Sequence, residues 1–177
     1  MRLSPLCAVL AGAPLLVAPA LQEPETVPDV WEPFAFFVGS WEGEGRGPAG
    51  TNRLERTYEL VLDGRYLHSR NEATFETEVH RNWDFLSWDK VRGTFVLRQF
   101  HVEGFVNRYT CTVSDGEPRT FVFESEGIEN LEPGWGARLT LTILDGDSYR
   151  ELFELRQPGK GEEDWFELAT GTLKRVR

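Results

Sequence analysis

Turn signals recur at short, nearly regular intervals from residue 39 onward, and no long helical period lies between them. That spacing restricts the fold more than any other feature of the chain. The turns include Asp63-Gly64, Asp89 to Gly93, Gly104, Asp115-Gly116, Asp145-Gly146 and Pro158-Gly159-Lys160-Gly161. Gly and Asp tolerate the positive φ that tight hairpins demand. Between them the pattern predicts strands over 40–47, 54–62, 66–75, 79–88, 94–101, 105–114, 120–126, 134–144, 149–155 and 164–176. The 12 Phe, 6 Trp and 4 Tyr suit such an assignment, because flat side chains pack well on a pleated surface. About ten short strands point to a single antiparallel up-and-down β-barrel, since closure removes the adhesive edges of an open sheet. Phe34 to Val38 reads as one helical turn that plugs an end.

Alternation assigns faces in some strands. Ala137, Leu139, Leu141 and Ile143 share one face, opposite Arg138, Thr140 and Thr142. Tyr149, Phe153 and Leu155 lie opposite Arg150, Glu154 and Arg156. In 94–101 both faces are mixed: Phe95, Leu97, Gln99 and His101 against Val96, Arg98 and Phe100. A partly polar interior produces that pattern, and so does an outward apolar patch.

The first twenty residues differ in kind. Arg2 precedes the apolar run Leu6 to Ala18, and Ala18-Pro19-Ala20 is a small-residue cleavage site. Residues 1–20 read as a signal peptide, which predicts export to the periplasm or beyond. The run is too short, and too broken by Pro14, to span a membrane. Residues 21–33, with Pro24, Pro28, Pro33 and several acids, read as a linker, and 34–177 as the barrel. The net charge of −10 excludes the clustered cations that nucleic acid or an anionic membrane surface requires. After cleavage Cys111 is the single cysteine, so no internal disulfide forms; the residue reads as a small packed side chain on a strand.

Phe36-Phe37-Val38-Gly39-Ser40-Trp41-Glu42-Gly43-Glu44-Gly45 carries a Gly-x-Trp-x-Gly-x-Gly signature at the opening of the first strand, after a short apolar turn. With the strand spacing, this resembles the nitrobindin-like heme-binding β-barrels, a calycin-type family related to lipocalins and fatty-acid-binding proteins. The segment from Trp83 to Phe105, with Arg98-Gln99-Phe100-His101-Val102-Glu103-Gly104-Phe105, is similar to exported bacterial relatives of that barrel. The resemblance implies a barrel with an interior cavity. It also implies that Trp41 packs across the closed end beneath a basic residue of the last strand, Arg175 or Lys174, by a cation–π contact. Gly39, Trp41, Gly43, Gly45 and Arg175 form this structural motif, the glycines letting the first strand bend. The family holds heme through a histidine on the C-terminal strands. Residues 149–155 and 164–176 contain none, so the resemblance does not supply an iron ligand.

The histidines are His68, His80 and His101. His101 shares a strand face with Gln99 and Glu103, a cluster suited to fixing the polar end of a ligand. His80 is expected on a solvent-exposed strand end. No metal-ligand spacing links these residues, and His101 would meet iron only if heme binds. Arg98 and Arg108, and Arg138 on another strand, could pair with a ligand carboxylate if they point inward. The candidate ligand-binding set is Trp41, Arg98, Gln99, His101, Glu103, Arg108 and Tyr109. The chain has no Gly-x-Ser-x-Gly elbow and no recognisable Cys/His pair, and the sequence names no catalytic residue. The leading expectation is an exported barrel that holds a small, mostly hydrophobic ligand. The alternatives are heme binding with His101 or His80 as ligand, and a structural or interaction barrel with a filled core.

Overall fold

Short turns return each strand antiparallel to the one before it, among them one with Asp63 and Gly64 both at positive φ (56° and 73°). The computed structural model describes residues 30–177. The expected signal peptide and all but the last four residues of the expected linker lie outside that range. Ten strands follow a 3-10 helix (Glu32–Phe37): β1 (Gly39–Gly47), β2 (Gly50–Val61), β3 (Tyr66–Thr74), β4 (Val79–Asp89), β5 (Thr94–His101), β6 (Val106–Val113), β7 (Thr120–Glu129), β8 (Gly136–Asp145), β9 (Ser148–Arg156) and β10 (Phe166–Arg175). Each pairs with its sequence neighbour, and β1 pairs with β10 to close the barrel. The fold is the expected all-β barrel.

The helix starts two residues before the expected domain boundary at residue 34. Trp31 lies just ahead of it and donates its indole N–H to Gly64 O at 2.7 Å, which ties the end of the linker to the β2–β3 turn. Phe34 and Phe37 are buried on the inner side of the helix and plug this end of the barrel. They pack with Phe95, Phe121 and Tyr149 at centroid distances of 4.7–5.2 Å. Half of the interior is therefore filled by aromatic rings, which is where the hydrophobic stabilisation concentrates.

Trp41 belongs to this filled half. It is 1% exposed, and its indole N–H donates to Phe37 O at 2.7 Å. The Arg175 guanidinium lies 4.2 Å above its ring and donates to Phe36 O at 2.6 Å and Val38 O at 2.9 Å. One arginine on the last strand thus clamps the plug helix and covers the tryptophan. Gly43 is required by close approach more than by bending. A Cβ there would overlap Thr172 O and lie 2.8 Å from Leu173 Cα, so β1 could not sit this near β10 with any larger residue.

Both explanations of the mixed 94–101 pattern hold together. Phe95, Leu97, Gln99 and His101 point inward. On the outside, Phe100 (47% exposed) and Trp83 (57% exposed) flank Phe85 in an aromatic patch that also covers His68. Cys111 is buried among core side chains, and burial pushes its thiol up to about 12, far from a reactive thiolate.

Candidate functional site: a cavity with a polar inner wall

At the end opposite the plug the interior is open. A cavity of about 460 Å³ is lined by β2 to β5 and β8 to β10, with the β1–β2, β3–β4 and β5–β6 turns at its mouth. Leu54, Ala73, Phe75, Phe105, Leu139 and Phe153 supply an apolar wall. The rest of the lining is unusually polar for a barrel interior, and strand parity explains it. The inward positions of β2 are Asn52, Leu54, Arg56 and Tyr58. Those of β3 are Leu67, Ser69, Asn71 and Ala73, and those of β4 are His80, Asn82, Asp84 and Leu86. Register then places Asn71 opposite Asn82, Asp84 opposite Gln99 and Asn82 opposite His101.

Asp84 is the hub of this wall. It accepts hydrogen bonds from Ser69 Oγ (3.0 Å), Asn71 Nδ2 (2.7 Å) and Asn82 Nδ2 (2.7 Å). Burial pushes its carboxyl up to about 6, and these donors restrain the rise by favouring the charged form. Asn71 and Asn52, 7% and 8% exposed, line the cavity, and the Oδ1 of each is buried with no protein partner. Buried acceptors of that kind ask for a donor from a ligand or from water.

Next to this wall, Arg56, opposite Asn71 in register, forms a bidentate ion pair with Glu151 at 2.8 and 3.0 Å, their side chains 10% and 13% exposed. The other guanidinium nitrogen of Arg56 donates to Glu55 O and Glu72 O. Glu151 raises the arginine's pKa against the opposing effect of burial, so the guanidinium stays charged. Tyr149 donates to Glu151 and meets Tyr58 hydroxyl to hydroxyl at 3.2 Å. Burial pushes both phenols up, so both remain protonated donors. Arg56 is therefore engaged on every side by acceptors of its own chain.

At the mouth, His80 Nδ1 lies 2.8 Å from Glu103 Oε1, and His80 Nε2 lies 3.3 Å from His101 Nδ1. His101 Nε2 lies 2.9 Å from Gln99 Oε1, which also accepts from the Tyr109 hydroxyl at 2.9 Å. The His101 ring stacks on Phe105 at 4.1 Å. Burial, then the neighbouring His80, pushes His101 down to about 4, so its imidazole is neutral near pH 7.

The sequence-derived candidates separate into four groups. Gln99, His101 and Glu103 line the cavity. Tyr109 lies behind them, fully buried, and orients Gln99. Trp41 belongs to the plugged end, and the arginines face outward. Arg98 is exposed, Arg108 pairs with Glu129, and Arg138 pairs with Glu154 and lies over Trp165. An inward arginine does exist, but it is Arg56, which sequence reasoning passed over, as it did Asn71, Asn82, Asp84 and Glu151. His80 is half-buried and bonded, not free on a strand end. Glu151 had a readable signal, since it shares the parity of Tyr149, Phe153 and Leu155.

Among the described residues no helix is long and apolar enough to cross a membrane. No protein-family model matches the chain, and no curated protein matches it significantly in sequence. Solved structures do resemble it. A redesigned β-barrel aligns loosely, with a TM-score of 0.43 and 10% identity over 80% of this chain and 93% of its own. The crystal structure of Rv2717c from M. tuberculosis aligns with a TM-score of 0.69, covering 86% of this chain and 100% of that one at 18% identity. The chain therefore shares its fold, a closed ten-stranded antiparallel barrel, with that protein.

Proposed function

We propose that the protein binds a small amphiphilic molecule inside the barrel: an apolar body against Leu54, Leu139 and Phe153, and a hydrogen-bond-donating head against the inner wall. The observation that carries this reading is a cavity of about 460 Å³ whose lining sets an apolar wall beside the acceptor-bearing side chains of Asn52, Asn71, Asp84 and Glu151. That volume falls within the roughly 300–1,000 Å³ usual for small-molecule sites. The carboxylates of Asp84 and Glu151 add further acceptors. An amine or hydroxyl head matches such a wall. A carboxylate head does not, because the inward arginine among the described residues, Arg56, is held by Glu151 and two carbonyls.

This refines the expectation of a mostly hydrophobic ligand and weighs against an anionic fatty acid. It also weighs against heme held as the nitrobindin-like family holds it, which leaves His80 and His101 as the alternative ligands. The cavity walls contributed by β9 and β10 carry no imidazole, and among the described residues the guanidinium that lines the cavity, Arg56, is already engaged by Glu151. The fold likeness at 18% identity is compatible with nitrobindin-type barrels but does not bring their iron ligand. Export, read from residues 1–20, belongs to the same proposal: an exported binding protein.

Native mass spectrometry of protein purified from producing cells, followed by organic extraction, tests the reading. The expected result is a non-covalent adduct of a few hundred daltons (on the order of 200–400, from the cavity volume), absent from an Ala73→Phe variant whose ring occupies the cavity. A bare protein mass, together with no stabilisation by any amphiphilic amine or alcohol, would overturn it.

A further inference from the structure

The chain of contacts at the cavity mouth contains a proton count that points to a second ligand. Glu103 accepts from His80 Nδ1, and a carboxylate near neutral pH has no proton to give, so the proton in that 2.8 Å bond belongs to His80 Nδ1. Gln99 Oε1 also only accepts. It receives the Tyr109 hydroxyl, which is itself fixed as a donor because Asn107 Nδ2 donates to Tyr109 Oη at 2.7 Å. Asn107 Nδ2 lies 3.0 Å from His101 Nε2 and 3.1 Å from Gln99 Oε1. Of the contacts at His101 Nε2 the shorter, with Gln99 Oε1 at 2.9 Å, sets a proton on Nε2, and the Asn107 amide then turns its second N–H to Gln99 Oε1 instead of to the imidazole.

Both imidazoles thus have their outer nitrogens protonated and held by fixed acceptors. Their remaining nitrogens, His80 Nε2 and His101 Nδ1, face each other 3.3 Å apart as two lone pairs. Two lone pairs so placed attract a cation, a metal ion as well as a proton. Two nitrogens at about 2.0–2.1 Å from a tetrahedral zinc stand about 3.3–3.4 Å apart, the separation found here. The surroundings are those of a metal site as well. A histidine ligand commonly donates its far N–H to a carboxylate or carbonyl oxygen, which fixes the tautomer and raises basicity. His80 has Glu103 for this role and His101 has Gln99. Ligand atoms of His80, His101 and Glu103 all lie within 4.8 Å of one another, so the Glu103 carboxylate is also within reach of a shared ion.

We infer that His80 and His101, supported by Glu103 and Gln99, form a mononuclear site for a borderline transition-metal ion of the Zn²⁺ or Cu²⁺ class at the mouth of the cavity. Imidazole nitrogen suits these ions, and the absence of a thiolate or a multi-carboxylate cage disfavours Cu⁺ and Ca²⁺. All three residues line the cavity, so coordination positions not taken by protein face its interior. The site is independent of which organic molecule the barrel holds. Barrel register creates it: His101 pairs with Asn82, two residues from His80, although the two histidines are 21 positions apart in sequence.

The experiment is a titration of the tag-free protein with Zn²⁺ by calorimetry and with Cu²⁺ by electron paramagnetic resonance. One equivalent should bind saturably, and the Cu²⁺ spectrum should show superhyperfine splitting from two imidazole nitrogens. His80→Asn and His101→Asn should each abolish this binding, and Glu103→Gln should weaken it roughly 10–100-fold. His68→Asn, on the outside of the barrel, should leave it unchanged. Circular dichroism melts confirm that each variant folds, and His80, half-exposed at the rim, is the variant of choice if His101→Asn unfolds. Absence of a saturable one-to-one site, or its survival in folded His80→Asn, would overturn the assignment.

Discussion

Replacing Glu151 by Gln keeps the shape of the side chain and removes its charge, leaving the Arg56 guanidinium without its counter-ion. The structure sets the scale of the loss. Both members are about nine-tenths buried and joined by two short hydrogen bonds, and the remaining Arg56 donors face carbonyls that cannot neutralise a charge. Removing one partner of a buried ion pair costs about 3–5 kcal/mol. Because the pair borders a cavity that water can enter, the lower figure of about 3 kcal/mol applies. For a domain of this size that corresponds to a fall in Tm of roughly 6–12 °C. The double variant Arg56→Met/Glu151→Leu removes both charges and should recover most of that loss, since well-packed apolar replacements of buried pairs are often neutral or stabilising. Thermal and urea melts of the wild type, both single variants and the double variant at pH 7 form the cycle. A loss below about 1 kcal/mol in Glu151→Gln, or a double variant no better than the worse single one, would show that the pair is effectively solvated.

Three further outcomes follow from the same structure. The Asp84 carboxyl sits above its ordinary value, so the folded protein holds that proton more tightly than the unfolded chain does. Asp84 therefore adds stability as pH falls from about 6 to the ordinary value of 3.8, by about 3 kcal/mol in all; carboxyl ¹³C shifts should report a midpoint near 6, and one below 4 would refute the buried hub. Arg175→Ala loses a cation–π contact and two charge-assisted hydrogen bonds to the plug helix and should cost about 2–4 kcal/mol in a urea melt, against less than half that for Arg175→Lys, whose ammonium cannot bridge both carbonyls. Gly43→Ala forces β10 away from β1 and should cost about 3 kcal/mol, with amide exchange accelerated in those two strands; an unchanged melt would show that the seam between them is looser than drawn.

The barrel was legible because its turns carry their own chemistry. Asp63-Gly64 and its counterparts mark hairpins whatever lies between them, and Gly39-Ser40-Trp41 with Arg175 announces the plugged end. Inward faces were legible where the interior is dry, as in Ala137 to Ile143. Around the cavity the logic inverts: Ser69, Asn71, Asn82 and Asp84 point in, while Trp83, Phe85 and Phe100 point out. Hydrophobicity then assigns no side, and Arg98 looks as good a candidate as Arg56. Starting the second strand at Leu54 instead of Gly50 also hid Asn52, which opens its inward row. The meeting of His80 with His101 depends on the register between β4 and β5, and a single sequence does not encode that in any local pattern.

The central claim is that the open half of the metal-free barrel takes a ligand whose head donates hydrogen bonds to the acceptors of its inner wall. A paired fluorescence titration tests it most directly, with 1-aminoanthracene beside 1-anthroic acid, on the wild type and on Ala73→Phe. The account predicts saturable one-to-one binding of the amine, lost in Ala73→Phe, and weak or absent binding of the carboxylate. Tighter binding of the carboxylate, or amine binding that survives the filled cavity, would contradict it.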